Sequence, residues 1–391
     1  MIKEKIQQYK DYAIDMRRYF HQNPEPSLKE FSTAAKIEQE LTKMGIEHKR
    51  IASTGVIAWI EGEKEGKTIA LRADMDALEV TEVSDSEYCS QSKGLMHACG
   101  HDAHVASLLG AAQILKDMKS ELNGSVKLIF QPGEEVAQGA KNMIAEGALD
   151  GVDEIFGIHV WNGIPCGKIS AQEGPRMASA GQFEIEVKGK GGHGSLPHET
   201  IDAVVVGSAI VMNLQSYVSR EVSPLDSAVI SVGQFHSGTR FNVIPGDAYL
   251  EGTSRALSLE VNDNFEKDIR RIVECTARAY RAEAKVNYEQ KVIPVINDSR
   301  ISKIAIEAAE EIAGEGAHIE LPATTGGEDF SYYLEKVPGV FAFVGSGYTD
   351  GREVFPHHHE QFDIDENSVA ISMGLYAEMA VRMMKNHRCK L

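Results

Sequence analysis

The sequence predicts an α/β protein with a smaller α+β domain inserted into its middle. Three observations support this prediction. The chain of 391 residues exceeds the usual size of one hydrophobic core, its two end regions alternate strand-like and helix-like segments, and its middle follows a different order. The shares of 42% apolar and 25% charged residues are those of a folded chain. We therefore expect two domains, one of them discontinuous in sequence.

Strands and helices alternate through the first part of the chain. A helical stripe over 28–44 ends at Gly45, where glycine suits a left-handed C-cap. The predicted strands after it cover 54–60, 68–73, 125–131 and 154–161, and the predicted helices cover about 102–118 and 137–147. Such alternation is typical of a sheet covered by helices on both faces. In open sheets of this kind, ligands bind beyond the carboxyl ends of the strands.

The middle of the chain follows the order β-α-β-β-α-β. Its first strand alternates Phe183, Ile185 and Val187 on one face, as in a strand with one buried side. The later elements are a helix over 200–218, strands over 227–235 and 247–255, a helix over 260–281 and a strand over 283–291. This is the order of ferredoxin-like α+β domains.

The α/β pattern then resumes. The predicted elements are a helix over 299–313, a strand over 339–345 and a final helix over 366–386. We therefore expect a discontinuous domain formed by 1–178 and 293–391, with the smaller domain inserted over 179–292.

Charge and cysteine content exclude several classes of protein. The 40 basic and 58 acidic residues give a net charge of −18, which repels phosphate backbones, so we expect no nucleic-acid partner. The five scattered cysteines form no paired-thiol motif and predict no disulfide framework.

The sequence shows no targeting or membrane segment. The N-terminal segment lacks the apolar core of a signal peptide, no stretch is apolar enough to span a membrane, and the ending HRCKL matches no lipidation signal. We expect a soluble cytoplasmic protein with no membrane partner.

Polar side chains that can bind a metal follow the predicted strands. Asp74 and Asp76 share a face at a strand end, where they can support a metal or cap the following turn. The segment 97–104 combines a thiol with imidazoles, the donors that suit zinc and similar ions. Alternatively, segment 97–104 is the start of a helix whose free backbone amides are capped by Asp102.

Two more clusters follow along the chain. Glu134 and Glu135 come directly after strand 125–131, where one acid can bind an ion while the other accepts a proton from water. Alternatively, both are solvated acids at a helix start. His159 ends a strand, where a buried histidine is often only structural, and His357–His359 can be an exposed polar loop. Together with the donors of segment 97–104, these side chains suit two adjacent metal ions better than one.

The inserted domain contains further candidates. The glycines around His193 allow a sharp turn and leave the imidazole exposed. The same GKGKGG stretch lacks the Lys-Ser/Thr ending of a phosphate-binding loop. Asn242 and Arg255 can bind substrate, since a guanidinium binds a carboxylate with two hydrogen bonds.

The order of nine motifs resembles a known family. The motifs are RADMDAL, HACGHDAHVA, FQPGEE, GIHVW, GPRMAS, GKGGHGSLPH, FNVIP, GGEDFSYY and HHHEQFD. They resemble the metal-dependent amidohydrolases that include hippurate hydrolase, indoleacetyl-amino acid hydrolase and bacterial N-acyl-amino acid deacylases, within the aminoacylase and glutamate carboxypeptidase superfamily of metallopeptidases. The resemblance covers nearly the whole chain. It implies a di-metal α/β catalytic domain with an inserted ferredoxin-like lid or dimerisation domain.

The resemblance also implies a ligand set for two divalent ions, which can be Zn, Mn, Co or Ni. The matching metal ligands are Cys99, His101, Glu135, His159 and His358. His358 is preferred to its two neighbours because it precedes Phe362 by four residues, as in the family pattern. Asp76 matches an acid that supports the metal site, and Asp74 lies where superfamily relatives have a ligand histidine that Cys99 replaces. Glu79 and Glu360 stand where the family usually has proline.

The remaining matches concern the reaction. Glu134 matches the general acid/base, and His193 matches a histidine that helps polarise the scissile carbonyl, often across a dimer. Asn242 and Arg255 match positions that hold substrate.

The implied activity is hydrolysis of N-acyl-L-amino acids of the hippurate, N-acetyl or aryl-acyl type to a carboxylic acid and a free amino acid. The alternatives are a dipeptidase or aminopeptidase of the same superfamily, and a metal-binding scaffold with a decayed site. A homodimer, or a dimer of such dimers, through the inserted domain is the expected assembly.

Overall fold

A computed structural model describes residues 1–385, and the chain divides into two compact units. The first comprises Met1–Gly174, Ile296–Pro322 and the chain from Asp329 onward; the second comprises Pro175–Val295 and Ala323–Glu328. The first unit combines a mixed sheet with helices, and the second has the β-α-β-β-α-β order. The predicted fold class is therefore confirmed.

The strands and helices of residues 1–385 are as follows. The strands are β1 (Glu47–Ile51), β2 (Gly55–Glu61), β3 (Lys64–Asp74), β4 (Asn123–Gln131), β5 (Glu154–Pro165), β6 (Ile169–Ser170), β7 (Gly174–Met177), β8 (Ala180–Lys188), β9 (Gly192–His193), β10 (Ala228–Ser237), β11 (Val243–Ile244), β12 (Asp247–Ala256), β13 (Glu283–Val292), β14 (Val295–Asn297) and β15 (Gly339–Gly347). The helices are α1 (Ile2–Gln22), α2 (Phe31–Met44), α3 (His101–Asp117), α4 (Gly139–Ala145), α5 (Ala203–Arg220), α6 (Leu259–Ala279), α7 (Ser299–Ala313), α8 (Ser331–Lys336) and α9 (Asn367–Lys385).

Several helices begin at side chains that satisfy free backbone amides. Asp202 accepts hydrogen bonds from the amides of Val204 and Val205 before α5, and Asp298 accepts one from the amide of Ile301 before α7. Helix α2 ends at Gly45, a C-cap residue whose φ of 66° lies in the left-handed region. The predicted C-cap glycine is thus observed.

The first unit is built on a seven-stranded mixed sheet of order β1-β2-β4-β3-β5-β15-β6. Its inner strands β4, β3, β5 and β15 are parallel, and β1, β2 and β6 run antiparallel to their neighbours. Asp74 of β3 pairs with Gln131 of β4, and Arg72 pairs with Gly157 of β5. The carboxyl ends of three adjacent parallel strands therefore lie at one edge of the sheet.

Both faces of this sheet are buried. On one face, Leu128 and Phe130 of β4 join the core formed with α1, α2, α3, α7 and α9. On the other face, Phe341 of β15 contacts Phe330, with ring centroids 4.9 Å apart. The alternation of side chains along a strand accounts for this division.

The second unit contains an antiparallel sheet of order β10-β12-β8-β13, with the chain order β8-α5-β10-β12-α6-β13. This is the ferredoxin-like arrangement. Phe183, Ile185 and Val187 are buried in one core with α5 and α6, whereas the alternate residues of β8 are at least partly exposed. Short strands β9 and β11 pair beside this sheet.

Among residues 1–385 there is neither a membrane-spanning helix nor a cysteine in a disulfide bond. No helix within residues 1–385 is long and apolar enough to cross a membrane. Cys89, Cys99, Cys166 and Cys275 are free thiols, and Cys389 lies outside the described residues.

Candidate metal centre

The strand ends at the sheet edge bring the predicted ligands of the first unit together. His159 lies two residues beyond Gly157, at the level of Asp74 on the neighbouring strand. Helix α3 starts here at His101, after Gly100 in a left-handed conformation with φ of 88°. A Cβ atom at Gly100 would collide with a methyl group of Val160. Glycine is therefore required for this close approach of the helix to β5.

Two overlapping groups of donor atoms form the candidate metal centre. Cys99, His101 and His159 have donor atoms within 4.8 Å of one another, as do Cys99, Glu135 and His358. The Cys99 Sγ atom lies 3.5 Å from His159 Nε2, and His358 Nε2 lies 3.5 Å from Glu135 Oε1. The structure thus brings the five predicted ligands together, and their ligand roles remain a prediction.

Unsatisfied buried atoms show that these residues fit a metal ion. His101 Nε2 and Glu135 Oε1 are buried and have no hydrogen-bond partner among residues 1–385. A buried polar atom without a partner costs about 1–3 kcal/mol, which coordination of an ion would offset. Thiol, imidazole and carboxylate donors suit zinc and the neighbouring divalent metals.

Protonation of the centre follows from burial and charge. Burial raises the pKa of the Cys99 thiol and lowers the pKa of the His159 imidazole. Burial also acts to lower the pKa of His101, but the carboxylates of Asp74 and Asp76 outweigh it and raise that pKa. A cation bound by the centre would replace this proton and favour the thiolate.

Asp76 orients two candidate ligands at once. His101 Nδ1 contacts the Asp76 backbone oxygen at 2.9 Å and Oδ1 at 3.2 Å, which leaves Nε2 directed away for an ion. Asp76 Oδ2 accepts hydrogen bonds from Ser27 Oγ at 2.6 Å and from the Glu135 amide at 3.1 Å. This geometry is the one that the predicted supporting role of Asp76 requires.

Asp74 and His104 form a buried hydrogen-bonded pair next to the candidate metal centre. His104 bonds to Asp74 Oδ1 through Nδ1, and its Nε2 accepts a hydrogen bond from the Val160 amide at 2.9 Å. Both ring nitrogens are therefore used, so His104 is not available as a ligand in this arrangement. Burial acts to raise the pKa of Asp74, but Arg72 at 2.6 Å, His101 and His104 hold it well below its usual range.

The turn that carries Glu134 is fixed from two sides. Glu30 Oε1 accepts a hydrogen bond from the Gly133 amide at 2.9 Å, and its Oε2 accepts one from Thr54 Oγ1 at 2.7 Å. Asp76 holds the amide on the far side of Glu134. Glu134 itself is half-buried, and its carboxylate belongs to one group with His101 and Glu135.

Replacing Glu30 with Gln should disturb this turn. The Gly133 amide and the Thr54 hydroxyl donate to different oxygens of Glu30. Gln replaces one of these oxygens with an NH2 group and removes the negative charge that strengthens both hydrogen bonds. We expect a loss of about 1–3 kcal/mol in the free energy of unfolding, together with a reduced kcat. Thermal unfolding and steady-state kinetics measure the two effects.

Glu25→Gln is the matched control for this change. Among the described residues, Glu25 accepts hydrogen bonds from the amides of Ser32 and Thr33 at the start of α2, and it accepts none from the turn of residues 133–135. We expect this control to lose stability while keeping its kcat. A wild-type kcat in the Glu30→Gln variant would contradict the positioning role of Glu30.

The predicted residues of the second unit lie in two places. His193 is exposed, pairs with Val243, and lies beside Asn242, whose backbone oxygen accepts a hydrogen bond from Gly194 at 3.0 Å. The Ser195 amide donates to His193 Nδ1 at 3.1 Å, which places the ring hydrogen of the neutral imidazole on Nε2. Arg255 lies on β12 and lines a cavity of about 380 Å³ on the sheet.

Several buried charges around the centre were not identified from the sequence. Arg72 Nη2 contacts Asp329 Oδ1 at 3.0 Å, and Gln131 Nε2 contacts the same atom at 2.8 Å. Burial raises the pKa of Asp329 to about 6, although Arg72 opposes this shift. Arg72, Gln131 and Asp329 belong to recognisable motifs, but nothing in their spacing shows that they meet.

The site combines buried thiol, imidazole and carboxylate donors with a further glutamate, at the carboxyl ends of parallel strands. This combination is typical of metallohydrolases. The chain belongs to the peptidase family M20/M25/M40, whose family model matches residues 70–382. It is a hydrolase of this family, of the amidohydrolase type.

Relatives and solved structures agree with this assignment. The chain is 41% identical over 374 residues to N-acetylcysteine deacetylase from Bacillus subtilis, covering 95% of this chain and 97% of the relative. It is 40% identical over 386 residues to thermostable carboxypeptidase 2 from Saccharolobus solfataricus, covering 97% and 98%. A Bacillus subtilis protein, YXEP, described as a dinuclear metal binding peptidase of the M20 family, superimposes with a TM-score of 0.86 at 36% identity, covering 97% of this chain and 100% of that one.

Proposed function

We propose that the chain hydrolyses the amide bond of N-acyl-L-amino acids at a two-metal centre. The observation that carries this proposal is the convergence of Cys99, His101, Glu135, His159 and His358 beside Glu134, with buried donor atoms that have no hydrogen-bond partner among the described residues. The similarity to N-acetylcysteine deacetylase supports an acyl-amino acid as the substrate class.

The proposed reaction adds the elements of water across the amide bond. Two divalent ions supply Lewis-acid and water-activating chemistry when bound. Glu134 accepts a proton from the attacking water on its carboxylate and delivers it to the nitrogen of the leaving amine. The water oxygen stays on the acyl carbon, so the products are a carboxylic acid and a free amino acid.

The residues of the second unit act on the substrate in this proposal. His193 has its hydrogen on Nε2 and donates it to the oxygen of the scissile carbonyl, where negative charge develops. Arg255 binds the carboxylate of the amino acid with its guanidinium, and Asn242, which lies beside His193 and does not line the Arg255 cavity, contacts another part of the substrate.

A peptidase of the same family is the second candidate. The 40% identity to thermostable carboxypeptidase 2 favours it. An acyl-amino acid hydrolase and a carboxypeptidase both cleave the amide bond to the nitrogen of an amino acid whose carboxylate is free. They differ in the group on the acyl side of that bond. A dipeptidase or aminopeptidase needs in addition a site for a free α-amine.

A substrate panel separates these candidates. Metal-free protein receives Mn or Zn and is assayed on N-acetyl- and hippuryl-amino acids, on dipeptides with a free amine and on N-blocked peptides. We expect the highest kcat/KM on the acyl-amino acids. Higher kcat/KM on either peptide class would assign the peptidase function instead, and a metal-loaded protein inactive on the whole panel would indicate a binding protein.

A further inference from the structure

One buried arginine contacts acids in two segments that carry candidate metal ligands. Arg17 lies on α1, and its side chain is 0% exposed. Its Nε atom donates to Asp102 Oδ2 at 2.9 Å, and its Nη2 atom donates to Asp363 Oδ1 at 2.6 Å. Nη1 lies 3.4 Å from Glu366 Oε1. One guanidinium thus binds two widely separated parts of the sequence.

Both acids stand close to candidate ligands in the chain. Asp102 directly follows His101 in the first turn of α3. Asp363 belongs to the loop of His358, whose backbone amide also donates to the Ala98 oxygen at 2.8 Å. The segment 98–102, which includes the first turn of α3, is therefore joined to the His358 loop once through a backbone hydrogen bond and once through Arg17.

The geometry around Arg17 is specific to a guanidinium. Its donors point in different directions to different acids, which the single ammonium group of lysine cannot reproduce. The Tyr88 ring lies 4.7 Å from the Arg17 guanidinium carbon, and the Tyr88 hydroxyl lies 3.2 Å from Asp363 Oδ2. His21, one turn later on α1, shares Asp102 at 2.8 Å. The arginine is thus held rigidly between the two segments.

We propose that Arg17 is a positioning residue that sets the spacing between the His101 and His358 segments, and thereby the affinity of the centre for metal. This inference depends on the proposed metal site. A purely stabilising ion pair would change the free energy of unfolding and leave the metal affinity of the folded protein unchanged.

The test measures the metal affinity of Arg17→Lys by competition with a chelator, using Zn as the probe. Loss of a residue that orients ligands weakens metal binding by about 10–100-fold, and we expect a change in this range. Saturating metal should restore most of the activity. Asp363→Asn should have the same effect, and the double variant should be less affected than the sum of the two single changes.

Leu41→Ala is the control for general destabilisation, because Leu41 is buried on α2 and is not part of the centre. It should lower the melting temperature and keep the wild-type metal affinity. Metal affinities of Arg17→Lys and Asp363→Asn within twofold of the wild type would overturn the inference. A wild-type protein that binds no Zn in the same competition would instead refute the proposed metal site.

Discussion

Replacing Glu134 with Gln should leave the protein folded and metal-loaded while slowing amide hydrolysis by about 10²–10⁴-fold, the usual contribution of general acid–base catalysis. Gln has nearly the same shape but cannot accept the proton of the attacking water at neutral pH. The turn around residue 134 is held by Glu30 and Asp76, so it should persist in the variant. Steady-state kinetics and elemental analysis of the same preparation measure the two properties.

Glu65→Gln provides the control for this experiment. Glu65 is an exposed residue of β3 outside the candidate centre, and its replacement should change neither kcat nor metal content. Near-normal turnover by Glu134→Gln would remove Glu134 from the proposed mechanism. Loss of the bound metal instead would indicate that Glu134 acts as a ligand.

Replacing Cys99 with Ala should lower the metal affinity and the metal content of the protein. The Cys99 thiol lies close to the donor atoms of His101 and His159 and also to those of Glu135 and His358, so its loss removes a donor from both overlapping groups. We expect metal affinity to fall by more than the roughly 10–100-fold typical of residues that only orient a ligand. Elemental analysis after dialysis and chelator competition measure this change.

Cys166→Ala is the matched control. Cys166 is a half-buried free thiol that belongs to none of the donor groups found among residues 1–385. Its replacement should leave the metal content unchanged. Equal metal content in the wild type and Cys99→Ala would contradict the ligand role of Cys99.

Much of the fold could be predicted from side-chain periodicity. The helix predicted over 299–313 has those bounds in the structure, because its apolar stripe and its Asp298 cap act locally. Strand β1 was missed. Its sequence EHKRI has one buried residue at the end of an edge strand, so it lacks the apolar alternation that identifies a strand.

The candidate site could be predicted only in part. Asp74 and Glu135 follow predicted strands and His159 lies within a third, predicted over 154–161; such parallel strands present their carboxyl ends at one edge of the sheet. The role of His104 could not be predicted, because it lies on helix α3 while its partners, Asp74 and the Val160 amide, come from the strands β3 and β5. Arg17 resembles any charged residue of an amphipathic helix until the fold brings two distant acids to it.

A metal titration of the metal-free wild type tests the central claim most directly. Bound ions and the rate of hydrolysis of an N-acetyl-L-amino acid are measured in the same samples as Zn or Mn is added. We predict that activity is absent at first and rises with binding until two ions are held per chain. Hydrolysis by the metal-free protein, or saturation with metal without hydrolysis, would contradict a metal-dependent hydrolase acting on this substrate class.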